Sequence, residues 1–207
     1  MPDLATLAIF AGASVLCALE PGPNFLLLAS ETLRGDRLSG WKTAFGLHLG
    51  AWPHIALAAF GLSVVVQVVP EVLTALKWAA AAWLLWLAYR TVATGDDARA
   101  GTETLRNMGA TRRGFALVLF NPRTSVFFAG FPLLFVSRDG AFAPQTQILL
   151  LGAVTNMIFL AVDLAFVAIV AKAGSLDALK ASRRRWFRWI GGGLLAGLAV
   201  KLVVERD

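Results

Sequence analysis

Apolar residues along this chain come in long unbroken runs, where a soluble helix would show a one-sided stripe. A bilayer core takes about 20 apolar residues per helix. Six runs reach that length, roughly Leu4–Leu33, Trp41–Val69, Leu73–Ala93, Gly114–Val136, Pro144–Ala171 and Trp186–Val204. Each predicts a transmembrane helix. The first is overlong and contains Pro21-Gly22-Pro23, which predicts a span bent or unwound partway through. The fourth is interrupted at Asn121-Pro122-Arg123-Thr124. Pro70 predicts a very short turn between the second and third runs.

The one sizeable polar stretch, Thr94–Arg113, divides these runs three and three. An odd number of spans per half forces the halves into opposite orientation, and the first span of each half carries a proline break. That layout predicts an all-α membrane protein built as an inverted repeat. It would be one transmembrane domain, with a first three-helix repeat at 1–93, a loop at 94–113 and a second three-helix repeat at 114–207. Gly46 and Gly50, Gly193 and Gly197, and the run Ala79–Ala82 are small-residue patches of the kind that let helix backbones approach in lipid.

Composition agrees with the pattern. The 207 residues are 57% hydrophobic and only 15% charged, with mean hydropathy +0.68, which leaves too little charge for a soluble surface. The pI near 10.2 does not point to nucleic acid, because the basic residues fall between the apolar runs. Arg34, Arg37, Lys42, Arg90, Arg99, Arg106, Arg112, Arg113, Lys172, Lys180, Arg183 to Arg185 and Arg188 fall on one side. Lys77, Arg138, Lys201 and Arg206 fall on the other. The richer side is expected to be cytoplasmic, with both termini facing outward. Trp41, Trp186 and Trp189 near span ends are expected interface anchors. Cys17 is the single cysteine, so no internal disulfide forms. No basic region precedes the first apolar run, so that run is expected to remain as a span.

The breaks carry the candidate chemistry. Proline removes a backbone N–H and glycine tolerates unusual dihedrals, so Pro21-Gly22-Pro23 should free carbonyls, with N–H groups available again near Asn24. The first break lies about ten residues from Leu33, or ~15 Å, and the second about eight from Gly114, or ~12 Å, at 1.5 Å per residue. Similar depth lets both face a central cavity, so Pro21, Gly22, Pro23, Asn24, Asn121, Pro122 and Arg123 are candidate substrate-binding residues. Two structural kinks are the plainer alternative. Arg123 is open to three uses: bidentate contact to a substrate carboxylate, snorkelling to the cytoplasmic edge, or a fixed pair with an acid of the fold.

Glu20 beside the first break and Asp163 midway along the fifth span are candidates for proton coupling or for holding a substrate ammonium. A static ion pair of either acid with Arg123 is the alternative. Glu31, nearer the cytoplasmic end, is expected to pair with Arg34. His48 and His54 are six apart and point to roughly opposite faces of a helix, which excludes a paired metal site between them. A proton path or helix-to-helix hydrogen bonding remains open for them. Asn24, Asn121 and Asn156 offer donors and acceptors to a zwitterion or to broken helix ends. There is no phosphate loop, nucleotide fingerprint or cysteine cluster, and no cofactor is called for.

Three segments together resemble one known family. Pro21-Gly22-Pro23-Asn24, the Lys77 to Leu87 stretch KWAAAAWLLWL, and Asn121-Pro122-Arg123-Thr124-Ser125-Val126-Phe127-Phe128 are similar to the LysE/RhtB family of amino-acid exporters. Length, span number and the loop after the third span fit it too. The resemblance implies secondary export of amino acids or close derivatives from a bacterial inner membrane, driven by protons, with no enzymatic activity. The family commonly has lysine where this chain has Arg123, and Asp163 matches an acid common in its fifth span. The implied partners are a small-molecule substrate, protons and the lipid bilayer, with a homo-oligomer open and no nucleic acid. Rival readings are an exporter of metal cations, an intramembrane enzyme and a non-transporting membrane partner protein. Soft metal ligands and a nucleophile-base arrangement are missing for the first two.

Overall fold

The structure, a computed structural model, describes residues 4–20, 22–62, 108–137 and 140–173, with 78, 82 and 89 besides. Pro21, most of the third predicted span, the sixth predicted span, the polar loop up to 107 and both termini lie outside the described residues. So do Pro70, Trp186, Trp189, and the Gly193 and Gly197 pair. Every element among the described residues is helical. In chain order they are α1 (Leu4–Ala18), α2 (Pro23–Arg34), α3 (Arg37–Leu57, continued by a π-helical turn Ala58–Leu62), α4 (Ala110–Leu119), α5 (Pro122–Gly130, followed by a 3-10 turn Pro132–Phe135) and α6 (Pro144–Ala173).

Both proline breaks fall where the sequence predicts them. α1 and α2 meet at a bend of 58°, and α4 and α5 at 65°. By length and composition each bent pair can form one broken span or a re-entrant loop, and α6 is long and apolar enough to cross a membrane unaided. α3 does not meet that test alone, because Lys42, His48 and His54 lower its hydropathy. The turn from α2 into α3 is capped at Asp36, whose side chain accepts from Ser39 N–H at 2.7 Å. That backbone N–H holds the Asp36 carboxyl below the usual carboxylate range.

α3 and α6 form the centre. α3 packs on α2, α4, α5 and α6, and α6 packs also on α1 and α2. Lipid supplies no hydrophobic drive between helices, so close backbone approach and van der Waals contact must hold them. The contact of α3 with α4 shows how. A Cβ on Gly46 would sit 2.0 Å from Thr111 O, one on Gly50 2.6 Å from Phe115 O, and one on Gly114 2.3 Å from Thr43 O. The expectation that Gly46 and Gly50 serve close approach is met. Phe10, Phe127, Phe131 and Phe135 form an aromatic cluster of stacked and edge-on rings with centroids 5.0 to 5.5 Å apart. The guanidinium of Arg37 covers the Trp41 ring at 4.2 Å.

One expected ion pair is different in the structure. Glu31 bonds Arg113 at 2.6 Å, not Arg34. Arg34 ends α2 on its exposed side, while Glu31 is on the buried side facing α4. Positions three apart on a helix are close enough to pair, so it is the facing Arg113 of α4, at 2.6 Å, that takes the buried carboxylate.

Candidate functional site

The first break begins where α1 tightens. Leu19 N–H reaches both Val15 O and Leu16 O, and Glu20 N–H reaches Cys17 O at 3.3 Å. α2 then starts at Pro23, behind Gly22 in extended conformation. Proline suits a first helical position because its missing N–H would have no partner there. Gly22 has no side chain to cap the first turn of α2. Beside it, the Asn24 side-chain oxygen is buried with no hydrogen-bond partner among the described residues.

The second break also places proline at a first helical position, Pro122, but its polar groups are matched. Asn121 Oδ1 accepts from Arg123 N–H at 3.0 Å. Val118 O would normally serve residue 122, which as proline has no N–H. It accepts instead from Asn121 N–H at 3.0 Å and from His54 Nε2 at 3.1 Å. The other ring nitrogen of His54 is 3.1 Å from Ser125 Oγ. A neutral imidazole that donates from Nε2 accepts at Nδ1, so the Ser125 hydroxyl is the donor. Of the two uses left open for His54, the structure shows helix-to-helix hydrogen bonding.

The breaks meet. Glu20 and Arg123 form an ion pair across them, and the guanidinium lies against Gly22, about 3.8 Å from where a Cβ would be. Of the fixed pairs open to Arg123, the one with Glu20 is formed and the one with Asp163 is not. Asp163 instead faces His48, with Oδ2 3.1 Å from Nε2. Asn156 orients that histidine from two sides. Its Nδ2 donates to His48 O at 3.2 Å, which leaves its Oδ1 to accept from His48 Nδ1 at 2.7 Å. With Nδ1 donating, a proton must also lie between Nε2 and the carboxylate, since two lone pairs at that distance would repel. The pair is neutral overall whether that proton rests on nitrogen or on oxygen. Asp163 is 6% exposed, His48 7% and Asn156 0%.

All these groups border one cavity of about 110 Å³. Glu20, Gly22, Pro23 and Asn24 line it from the first break, Asn121, Arg123 and Thr124 from the second, and His48, Asn156 and Asp163 from α3 and α6. Apolar walls come from Phe25, Leu47, Val118, Phe127 and Phe159. Of the sequence-predicted site residues, Pro122 is exposed and does not line the cavity, and Pro21 lies outside the described residues. The pairing of His48 with Asp163 was not anticipated. The available signal was the seven-residue spacing of Asn156 and Asp163, two turns apart on one face of α6. No cluster of three histidine, cysteine or acidic residues suited to a metal occurs among the described residues.

Residues 15–206 match the family model described as LysE type translocator. An uncharacterized membrane protein of Pseudomonas aeruginosa is 26% identical over 70% of this chain and 69% of its own length. The leucine efflux protein of Salmonella typhimurium is 27% identical over 65% of this chain, and the match spans 64% of that protein. The leucine efflux protein of Klebsiella pneumoniae is 24% identical over 94% of this chain and 92% of its own length. No solved structure matches the chain.

Proposed function

The chain belongs to the LysE type translocators, a family of membrane transporters, and from that premise we propose that it is a proton-coupled secondary exporter of amino acids or close derivatives. It acts across the bacterial inner membrane through six spans in two inverted repeats, with the termini periplasmic and 94–113 cytoplasmic. Two relatives named for leucine efflux support the cargo class. The observation that carries the reading is the Glu20–Arg123 pair, which joins two broken helices over one polar cavity. Helices interrupted at depth are how transporters present backbone and side-chain groups to a substrate inside lipid.

In this mechanism the substrate enters from the cytoplasm and settles between the breaks. Its carboxylate meets Arg123 and the uncapped N–H groups at the start of α2. Its ammonium meets Glu20. The Asp163–His48 pair holds one proton at rest. A second proton arriving from the outer side leaves an uncompensated positive charge in a dry setting. That charge favours release of the cargo's ammonium end outward and return of the carrier. Purified protein in proteoliposomes tests this. Export should accelerate with an imposed pH gradient, and Asp163→Asn should abolish the acceleration while leaving substrate exchange at equal pH. Export indifferent both to the gradient and to Asp163→Asn would remove the proton from the mechanism.

A further inference from the structure

The charges round the cavity cancel. Among the described residues, its ionisable groups besides the Cys17 thiol are Glu20, His48, Arg123 and Asp163. Glu20 is matched by Arg123, and Asp163 shares one proton with His48. The sequence adds no charge from the middle of the remaining apolar runs, since residues 78–89 and 189–200 contain no Asp, Glu, Lys or Arg. We infer that the site is built for a net-neutral zwitterion with one small or medium apolar side chain, whose two charged ends take the places of Arg123 and Glu20 in their mutual pair. The inference rests on the exporter reading and names its cargo.

The physical reason is charge accounting at a buried site. Opening this ion pair is unfavourable if the buried Glu20 carboxylate is left alone, and less so for the partly exposed Arg123. A zwitterion opens it without that penalty, because its carboxylate replaces Glu20 at Arg123 and its ammonium replaces Arg123 at Glu20. The unpartnered Asn24 side-chain oxygen supplies a further acceptor beside the ammonium. A molecule with one charged end opens the pair and satisfies half of it. A lysine-like cargo adds a third charge, and both acids lining the cavity already have counter-charges. A glutamate-like cargo fails the same way, with no spare cation. A cavity of about 110 Å³ has room for several water molecules, and so for a small solute. The phenylalanine, leucine and valine walls suit an apolar side chain. With no cargo present, the pair ties the two broken helices together.

The full-length protein in proteoliposomes, loaded with labelled leucine, threonine, lysine or glutamate, tests the inference without altering the chain. Leucine should exchange faster than lysine and glutamate by roughly tenfold or more, the discrimination expected when a buried charge lacks its partner. Unlabelled leucinamide and N-acetylleucine, each keeping one charged end, should compete with leucine at least as poorly. Exchange of lysine or glutamate at leucine's rate overturns the neutral-cargo inference and leaves the exporter reading standing. Equal competition by the two single-ended analogues overturns the two-ended recognition alone. No exchange of any amino acid overturns the exporter reading and this inference with it.

Discussion

The two breaks share a sequence device and differ in how it is finished. Each puts proline at the first position of the second half-helix, where no N–H is missed. At the second break the groups nearest the proline are answered: Asn121 caps its own turn, His54 covers Val118 O, and Ser125 holds His54. At the first, Gly22 offers no cap and Asn24 keeps a buried oxygen unpartnered. The sealed break is an anchor that presents Arg123 from a fixed backbone. The open break is the one with groups left to offer a solute. A kink needed only for packing would gain by being sealed, so the asymmetry supports the proposed binding role.

Removing the link between the breaks should have the largest effect. Arg123→Ala leaves Glu20 buried without its cation, which costs ~3 kcal/mol, the lower end for a broken buried pair because the arginine is partly exposed. Thermal unfolding in detergent should show the loss, and leucine export should fall by roughly a hundredfold or more. Arg123→Lys should keep part of both, since charge survives and the bidentate geometry does not. Unchanged export by Arg123→Ala would detach the pair from the site.

Unsealing the anchored break comes next. His54→Ala strips the side-chain donor from Val118 O and the acceptor from Ser125, for about 1–3 kcal/mol in unfolding free energy. Because His54 does not line the cavity, exchange selectivity among cargoes should stay as it was while stability drops. A changed selectivity would mean that the second break is more than an anchor.

Sealing the open break is the gentlest test and the most specific. The extended backbone at Gly22 accepts any residue, and a Cβ there meets only Arg123 Nη1 at 3.8 Å. Gly22→Ser should add a few tenths of a kcal/mol through a new cap on α2. It should also weaken leucine, because the new hydroxyl takes N–H groups meant for the cargo carboxylate. A gain in stability with undiminished substrate affinity would show that the start of α2 does not hold cargo.

Much of this arrangement was legible along the chain. The bends at Pro23 and Pro122, the length of α6 and the small-residue contact at Gly46 and Gly50 follow from properties of single residues and of their neighbours. The partners of the buried charges were not legible. Glu31 was expected at Arg34 and is at Arg113, and Arg123, left open to a fixed pair with Glu20 or Asp163, is at Glu20. His48 left two roles open and proved to be the partner of Asp163. Its six-residue spacing from His54 ruled out a shared metal and said nothing about helices elsewhere.

Length, apolarity and the position of each proline are enough to say that this chain forms broken membrane helices, because a missing N–H and a run of hydrocarbon act where they stand. Which carboxylate meets which cation depends on how far each helix is rotated and shifted against the next. His48 and Asp163 are 115 residues apart, and Glu31 and Arg113 are 82 apart. A turn of about 100° per residue decides whether such groups face each other or lipid. That rotation is set by packing such as the fit of Gly46 and Gly50 against α4, so only the assembled helices could turn scattered charges into one neutral, lined cavity.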